Sequence, residues 1–398
     1  MESKNVSELA KQVRGVSYKP EDLHDGLNDK SVILLRANNI NDGKINFDDV
    51  VYVDKSKVSK EQYLQNGDIL ICASSGSKQL VGKAASVDFD IECTFGAFCK
   101  VVRPNPSIAE FLGIYFQSNT YRQKVSEVAI GANINNIRNE HIDNLILSVG
   151  TDEENSEIVR MMKVIQRLID ERKQEVQELD KLVKARFIEV FGDMLLNSKS
   201  WREIRLDSVA DIVSGITKGR KIKSAEIYEV PYMAVSNVKN GYIDWTKVKT
   251  IMATKEEIKR YQLLPNDVLM TEGGDPDKLG RGAVIKSPPN NCIHQNHIFR
   301  VRLNEEILPI YFEYYLQQIK AKRYFLKCSK QTTGIASINM KQLMALPVLI
   351  PDMESQKTFA KFTEQADKSK FINKRVDIFS DLCKIVIKYG FYQLYIYV

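Results

Sequence analysis

The feature that most constrains the fold of this chain is an internal duplication with a period of about 200 residues. The segment NNINDGKINFDDV contains Asn39, and SNVKNGYIDWTKV places Asn237 at the same position. NGDILICASSG and PNDVLMTEGG align in the same way through Asp68 and Asp267. A period of this length is that of a whole domain, so the sequence predicts two similar globular domains and not a short solenoid repeat.

A long charged helix is predicted between the two copies, from Asp152 to about Phe191. Apolar residues recur there at three- and four-residue spacing, and acidic side chains are concentrated at the start. Gly192 is a suitable end. At about 1.5 Å per residue the helix would be roughly 60 Å long, too long for one small domain core. The stretch from Asp352 to about Asp377 repeats the pattern, which predicts a partner helix packed antiparallel.

The predicted fold class is α+β, with two similar mixed α/β domains separated by two long helices that form an antiparallel coiled coil. Strand-like runs such as SVILLRANNI and GDILICAS alternate with polar turns, and one helix is predicted near 108–126. The predicted boundaries are 1–150 for the first domain, 151–197 for the central helix, 198–350 for the second domain and 351–398 for the C-terminal helix.

Two places depart from the repeat. WREIRLDSVADIVSGITKGRK opens the second copy, whereas only SELAKQVRGVSYKP stands at that place in the first. The first domain is therefore expected to lack a counterpart of this opening segment. After Asp377 the helical pattern fails, and the tail LCKIVIKYGFYQLYIYV is aromatic and β-prone. The second helix is accordingly expected to be truncated or altered near its end.

Composition admits several classes of protein. The 398 residues are 43% hydrophobic and 27% charged, and the net charge of +6 is a mild basic excess that permits a nucleic-acid partner without requiring one. The six cysteines show no C-x-x-C pair, as expected of free thiols in a reducing compartment. No signal peptide or membrane-length apolar window is present, so we expect a cytoplasmic protein with no membrane partner.

The sequence contains no convincing active site. His294 and His297 form H-x-x-H, but QNHIFRV is strand-like, and strand residues three apart point to opposite faces. Ordinary structural histidines are therefore favoured over a metal pair. Neither a Walker loop nor a dinucleotide-binding glycine motif is found. We predict no catalytic residue and no metal site.

Polar loops at matching places in the two copies form the candidate DNA-binding surface. Amide side chains can read adenine, Arg and Lys can read guanine, and Ser or Thr can hold phosphates. One such loop is more often plain solvated surface, but recurrence at equivalent places favours binding. In the first copy the candidates are Arg36, Asn38, Ser75, Ser77, Lys78, Asn133, Asn135 and Arg138. In the second copy they are Lys218, Arg220, Lys221, Asn237, Lys278, Lys330, Gln331, Thr332, Thr333 and Lys341.

From about Ser31 to Val376 the chain resembles the DNA-specificity subunit of type I restriction-modification systems. The resemblance rests on the domain-helix-domain-helix order and on strings such as NGDILICAS, TFGAFCKVVRP and GANINNIRNEHI in the first copy, and VSGITKGRK, PNDVLMTEGG and HQNHIFRV in the second.

The resemblance implies a non-catalytic recognition subunit of a methyltransferase and endonuclease complex. Each domain would read one half of a bipartite site on double-stranded DNA. The helices would set the spacer and dock two modification subunits. S-adenosylmethionine, ATP and Mg would be bound by the modification subunits and the restriction subunits, with no cofactor bound by this chain.

Two other classes of function are weighed against this one. A duplicated coiled-coil scaffold would bind other proteins and not DNA, and would show no basic concave face common to both domains. A fused methyltransferase or nuclease would show activity from the isolated chain when S-adenosylmethionine or a divalent metal is supplied.

Overall fold

The computed structural model describes residues 2–77, 80–131, 136–222, 226–275, 278–332 and 335–374. The candidates Lys78, Asn133, Asn135 and Thr333 lie outside these residues, as does the tail whose alteration the sequence predicts. Contacts divide the chain into two compact units, one within Met1–Gln174 and one at Glu175–Ile372. Over the described residues, no helix has both the length and the apolar character needed to cross a membrane.

Over its described residues, the first unit contains short strands, four α-helices and the first part of a fifth, long α-helix. Its strands are β1 (Glu2–Asn5), β2 (Ala10–Arg14), β3 (Leu23–His24), β4 (Ser31–Leu35), β5 (Ile40–Asn41), β6 (Lys44–Ile45), β7 (Val51–Asp54), β8 (Ile69–Cys72), β9 (Ala84–Ser86), β10 (Cys93–Phe95), β11 (Cys99–Pro104) and β12 (Ile146–Val149). Its helices are α1 (Val6–Leu9), α2 (Ala109–Gln117), α3 (Asn119–Gly131), α4 (Asn139–Asp143) and the start of α5 (Asp152–Phe191).

The second unit contains the end of α5 and a similar series of elements. Its strands are β13 (Arg202–Arg205), β14 (Ala210–Ser214), β15 (Tyr228–Met233), β16 (Lys249–Ala253), β17 (Val268–Thr271), β18 (Gly273–Gly274), β19 (Gly282–Val284), β20 (Ile293–His294), β21 (Ile298–Leu303), β22 (Lys330–Thr332), β23 (Ile335–Ser337) and β24 (Pro347–Ile350). Its further helices are α6 (Lys255–Tyr261), α7 (Pro309–Leu316), α8 (Ile319–Cys328), α9 (Met340–Met344) and α10 (Met353–Lys374).

The two units share the topology of two sheets, except that the second sheet of the first unit has one further strand, β3. An antiparallel sheet has the order β2-β11-β8-β9 in the first unit and β14-β21-β17-β19 in the second. A second sheet joins β10, β4, β7 and β3 in the first unit and β16, β15 and β20 in the second. Each unit thus repeats the same mixed α/β arrangement, which confirms the predicted fold class.

The central strand of each antiparallel sheet is buried on both faces. In β8, Ile69 and Ile71 pack in the cluster that contains Phe116 of α2, whereas Leu70 and Cys72 pack in the cluster of the second sheet. This division follows from the alternation of side chains along a strand. The strand therefore reads as a continuous apolar run in the sequence, and it fixes the position of the polar loop that follows it.

The opening segment of the second copy does have a counterpart in the first, so the expectation that it is missing is wrong. Strand β1 pairs with β12 as β13 pairs with β24, and β2 pairs with β11 as β14 pairs with β21. Comparison of the two sequences does not reveal this counterpart. These strands are defined by backbone pairing and alternating burial, which do not require particular side chains. Gly15 and Gly215 end the equivalent strands.

At both glycines the chain crosses a neighbouring segment closely. A Cβ on Gly15 would collide with the carbonyl oxygen of Gly96, and one on Gly215 would collide with that of His294. Only glycine fits there, because every other residue carries a Cβ. The crossing therefore excludes a side chain at the equivalent place in both units.

The predicted long helix is confirmed as α5, Asp152–Phe191. Gly192 follows it with φ of +78°, and its N–H donates to the carbonyl of Ile188 at 2.7 Å. The helix predicted near 108–126 is instead two helices, α2 and α3, because Ser118 is extended between them and its hydroxyl accepts from the Tyr121 N–H at 3.2 Å.

Within the second unit, the end of α5 packs antiparallel on α10. The rings of Phe187 and Phe191 lie 5.3 and 5.4 Å from that of Phe359. Further back along α5, Asp180 pairs with Lys370 at 2.6 Å. Residue numbers fall along one helix as they rise along the other, so the predicted antiparallel pairing of the helices is confirmed for these residues.

Candidate nucleic-acid interface

Four polar segments of the second unit lie side by side. Ile216 donates its N–H to the carbonyl of His294 at 2.8 Å, and Glu272 donates to that of His297 at 3.0 Å. Ile338 in turn donates to the carbonyl of Glu272 at 2.9 Å. These bonds join residues 214–222, 294–298, 271–275 and 330–338 (without 333–334) into what we call the second loop row. Backbone bonding fixes the order of the loops independently of their side chains.

The first unit contains the same arrangement. Val16 donates to Phe95 at 2.8 Å, Ala73 to Phe98 at 2.9 Å, and Ile137 to Ala73 at 2.7 Å. Residues 15–22, 95–99, 73–77 and 136–138 therefore form a first loop row. The chain thus brings together loops far apart in sequence, twice and in the same order.

Several sequence-predicted candidates fall in these rows with exposed side chains. Ser77 lies in the first row, and its N–H donates to the Ser75 hydroxyl at 3.2 Å. Arg138 ends that row and pairs with Glu140 at 3.5 Å. In the second row and on the adjoining α9, the exposed candidates are Lys218, Lys221, Lys330, Gln331 and Lys341. Among the described residues these five side chains have no hydrogen-bond or ion-pair partner, so they are available to a ligand.

The remaining candidate DNA-binding residues either bond to other groups of the protein or have side chains that the structure does not describe. Lys278 lies just beyond the second row and pairs with Asp275. The backbone of Thr332 lies in β22, but its side chain is outside what the structure describes. Arg36 and Asn38 share one acceptor, the carboxylate of Asp49, at 3.0 and 2.8 Å. These contacts leave the two side chains less free to bind DNA than the exposed lysines.

The candidate Arg220 is held against the protein and does not extend from its loop. Its Nε donates to Oε1 of Glu257 at 2.7 Å, and its Nη2 donates to the carbonyl of Met252 at 3.0 Å. The hydrogen bond from Arg220 also lowers the pKa of the Glu257 carboxyl. We correct the assignment of Arg220 from a DNA contact to an anchor that ties the Lys218–Lys221 loop to α6.

Asn237 is likewise corrected. Its side chain is 3% exposed, and its Nδ2 donates to the carbonyls of Asp244 and Lys247 at 2.8 and 3.1 Å. Its Oδ1 accepts from the Ala234 N–H at 2.9 Å. Both hydrogens of the amide and its oxygen are engaged with backbone, so this residue holds a turn and does not face DNA. Asn39 makes the same three kinds of contact in the first unit.

The two histidines of H-x-x-H lie in different surroundings. His294 is buried, its ring nitrogens face the carbonyls of Tyr261 and Val213 at 3.1 and 3.3 Å, and burial lowers its pKa to about 4. His297 is exposed and its Nδ1 lies 2.6 Å from the Glu272 carboxylate. The preference for structural histidines over a metal pair thus fits their positions. In the described ranges, no group of three or more His, Cys, Asp and Glu side chains could hold a metal ion.

Two polar residues in the middle of the second row are not among the sequence-predicted candidates. Gln295 and Asn296 are half-buried and follow directly after His294. Both lie between the histidines of H-x-x-H, where the histidine spacing is the stronger sequence signal. Their position could have been found from the repeat, since the QNH triplet aligns with the GAF triplet that begins at Gly96.

The fold and its two loop rows define a duplicated recognition protein with paired helices. The family of the type I restriction modification DNA specificity domain matches residues 2–181 and again residues 198–377. The chain is 30% identical over 374 residues to the type I restriction enzyme EcoKI specificity subunit of Escherichia coli K12, which covers 90% of this chain and 80% of that protein. The chain therefore belongs to the type I restriction-modification DNA specificity family.

Solved structures share the fold. A chain from a study of complex assembly and conformational transition of the type I restriction-modification system superposes with a TM-score of 0.58, at 15% identity, over 97% of this chain and 96% of that one. The S subunit of a type I system from M. genitalium gives a TM-score of 0.51 at 14% identity, over 97% and 95% of the two chains.

Proposed function

We propose that this chain is the DNA-reading subunit of a type I restriction-modification complex, and that each loop row contacts one half of a bipartite site on double-stranded DNA. The observation that carries the proposal is the recurrence of one backbone-bonded loop row in two units, each matched by the DNA specificity domain. The alternative of a protein-binding scaffold is not favoured, because it gives no reason for that match.

The division of labour is part of the proposal. The recognition domains are 1–150 and 198–350, and the segments 151–197 and 351–398 set the spacer and dock two modification subunits. This chain acts without catalysis, while S-adenosylmethionine, ATP and Mg are bound by the modification and restriction subunits. The complex works in the cytoplasm, where its DNA is. The antiparallel packing of α5 and α10 in the second unit supports a rigid spacer.

The contacts can be assigned by chemistry. Exposed lysines such as Lys218, Lys221 and Lys330 can neutralise phosphates, which gives affinity without sequence preference. Sequence preference then requires side chains held at fixed positions near base edges. The backbone bonds of each row supply this fixed frame.

The test is to express the chain with its modification subunits in a host without adenine methylation, and to map modified adenines by sequencing. We expect modification at one bipartite motif with an unspecified spacer of constant length. Modification subunits without this chain are the control and should leave the motif unmodified. Modification of adenines without any sequence preference would overturn the proposal.

A further inference from the structure

A chain of three polar side chains crosses the middle of the second loop row. The Glu272 carboxylate lies 2.6 Å from Nδ1 of His297, so that nitrogen carries the hydrogen. In the neutral ring Nε2 is then an acceptor, and it lies 3.4 Å from Nδ2 of Asn296. Glu272 thereby orients the imidazole, and the imidazole orients the carboxamide of Asn296.

The backbone of Asn296 is held as well. Its N–H donates to the carbonyl of Ile216 at 3.1 Å, and its own carbonyl accepts from the Ser214 hydroxyl at 2.7 Å. The adjacent Gln295 donates its N–H to the carbonyl of Met233 at 3.0 Å. A side chain held at both its backbone and its amide end loses little freedom when it binds a ligand.

One edge of the Asn296 carboxamide remains for a ligand. Its Oδ1 has no partner among the described residues, and one Nδ2 hydrogen is left over after the bond to His297. An acceptor and a donor side by side match N6 and N7 of adenine in the major groove. The carboxylate of Glu272, next to the site, disfavours a phosphate there.

We propose that Asn296, positioned by His297 and Glu272, reads an adenine in the half-site bound by the second domain. The inference rests on the proposed function and adds a specificity-determining residue to it. Lysines of the same row, such as Lys218 and Lys330, then hold the flanking backbone while Asn296 reads the base.

The first row has different chemistry at the equivalent place. Ala97 and Phe98 stand where Asn296 and His297 stand in the second row, with the same backbone bonds. Phe98 is 72% exposed and has no hydrogen-bonding side chain. The adenine contact of the second domain is therefore absent from this position in the first, and the two half-sites are read differently.

The experiment uses the full chain in complex with its modification subunits. Duplexes selected from a random pool give the preferred site, and each adenine of the second half-site is then replaced in turn by 7-deazaadenine, which lacks N7. For one adenine we expect wild-type affinity to fall by about 2- to 13-fold, the range of one lost hydrogen bond. Asn296→Ala loses both bonds, so it should bind the unmodified site about 5- to 150-fold more weakly and show no further loss on 7-deazaadenine.

Variants of His297 and Glu272 test whether these residues orient Asn296 without contacting the base themselves. His297→Phe should weaken the preference for that adenine without changing the first half-site, and Glu272→Gln should do so to a smaller extent. Asn290→Ala, in an exposed turn of the same unit, is the matched control and should leave the selected motif unchanged.

The outcomes separate the inference from the proposed function. If the wild-type complex selects no motif, the proposed function fails. A clear motif combined with no 7-deazaadenine effect at any position of that half-site overturns the inference alone. Equal weakening of all sequences by Asn296→Ala would show a phosphate contact and also overturn it. Because the 7-deazaadenine series uses wild-type protein, it stands even if a variant fails to fold.

Discussion

Buried asparagines hold equivalent turns in the two units. In each turn, three backbone groups have no backbone partner within the turn. The asparagine carboxamide bonds to all three of them. A buried polar group of this kind costs stability when its partner is removed. The alignment of Asn39 with Asn237 is therefore explained by the fold of the turn and not by DNA.

Replacing Asn237 by Asp keeps the shape of the side chain and removes both hydrogens. The carboxylate would then face the carbonyls of Asp244 and Lys247, so we expect a loss of at least about 1–3 kcal/mol in the free energy of unfolding. Urea denaturation measures this loss. The exposed Asn240→Asp is the control, and an equal effect of both changes would contradict the assignment.

Glu313 is a buried carboxyl with an incomplete set of partners. Its Oε2 accepts from the Val284 N–H at 2.6 Å. Burial is the main cause that raises its pKa to about 7, and Asp367 adds to the rise, whereas Lys286 and Lys370 oppose it. The folded pKa thus lies above the unfolded value. Unfolding releases a proton between about pH 4.5 and 7, so this group makes stability fall as pH rises through that window.

Glu313→Gln cannot ionise and should remove this dependence. We expect the free energy of unfolding of the variant, relative to that of wild type, to increase as pH rises from about 4.5 to 7. At pH 8 the variant should be up to about 3 kcal/mol more stable than wild type. Thermal unfolding across pH 4–8 provides the measurement. The control is Glu305→Gln at an exposed position, whose stability should depend on pH as that of wild type does. If the stability of Glu313→Gln also followed the pH dependence of wild type, the pKa of Glu313 would not be raised.

Some residue-level features could be predicted from the sequence and others could not. The aligned Asp68 and Asp267 both bind an arginine of the adjacent strand, Arg103 and Arg302, at 2.8 and 2.7 Å. Aligning the two copies of the repeat reveals such Asp–Arg pairs because both residues occur at the same places in each copy. The alignment does not find the partner of Arg220, since Glu257 lies 37 residues away on α6, and the described part of the first copy has only a short 3-10 helix, Lys60–Gln62, at that place.

At the scale of elements, the loop of Lys218 and Lys221 is exposed but tied down. Arg220 links it to Glu257 of α6 by a bidentate contact. Arg220→Ala should therefore lower the free energy of unfolding by about 1–3 kcal/mol, whereas Lys221→Ala should leave it unchanged and weaken only DNA binding. Thermal denaturation and DNA titration of both variants test this. A DNA-specific effect of Arg220→Ala with unchanged stability would restore Arg220 as a contact.

The helix pair of the second unit depends on a small aromatic cluster. Phe359 of α10 is fully buried and contacts Phe187, Phe191 and Tyr314. Phe359→Ala should cost about 3–5 kcal/mol, because the cavity cannot close between two helices. Urea denaturation measures the loss, and Ile188→Ala, at an exposed position of α5, is the control. Equal effects would mean that the pair does not stabilise the unit.

The spacing of apolar residues predicts the ends of some helices and not of others. The forty residues of α5 were predicted to their ends because apolar spacing, charge distribution and Gly192 agree. The break at Ser118 was missed, since LGIYFQSNTYRQ continues a helical pattern through it. Ser118 is extended at the end of α2, and its hydroxyl caps the first turn of α3. Such local bonding leaves little trace in hydrophobic spacing.

For the whole molecule, affinity for DNA should come from local lysines and not from the net charge of +6. Each lysine of the second row that touches a phosphate releases counterions when it binds. Changing Lys218, Lys221 or Lys330 to Ala should reduce the slope of log affinity against log salt by about 0.9 per contact. Salt titrations of the complex measure the slope, with exposed Lys361→Ala on α10 as control. An unchanged slope for all three would place DNA elsewhere.

The crossings at Gly15 and Gly215 have a consequence for how such proteins change. The backbone leaves each crossing at a fixed place and direction, because the carbonyl of Gly96 or His294 excludes any side chain there. Exposed residues further along the loop, such as Lys218, can then vary without disturbing the core, whereas Val16 and Ile216 directly after the glycines are buried in it. A substitution among those exposed residues therefore alters the surface of one unit and leaves the backbone frame of both units intact.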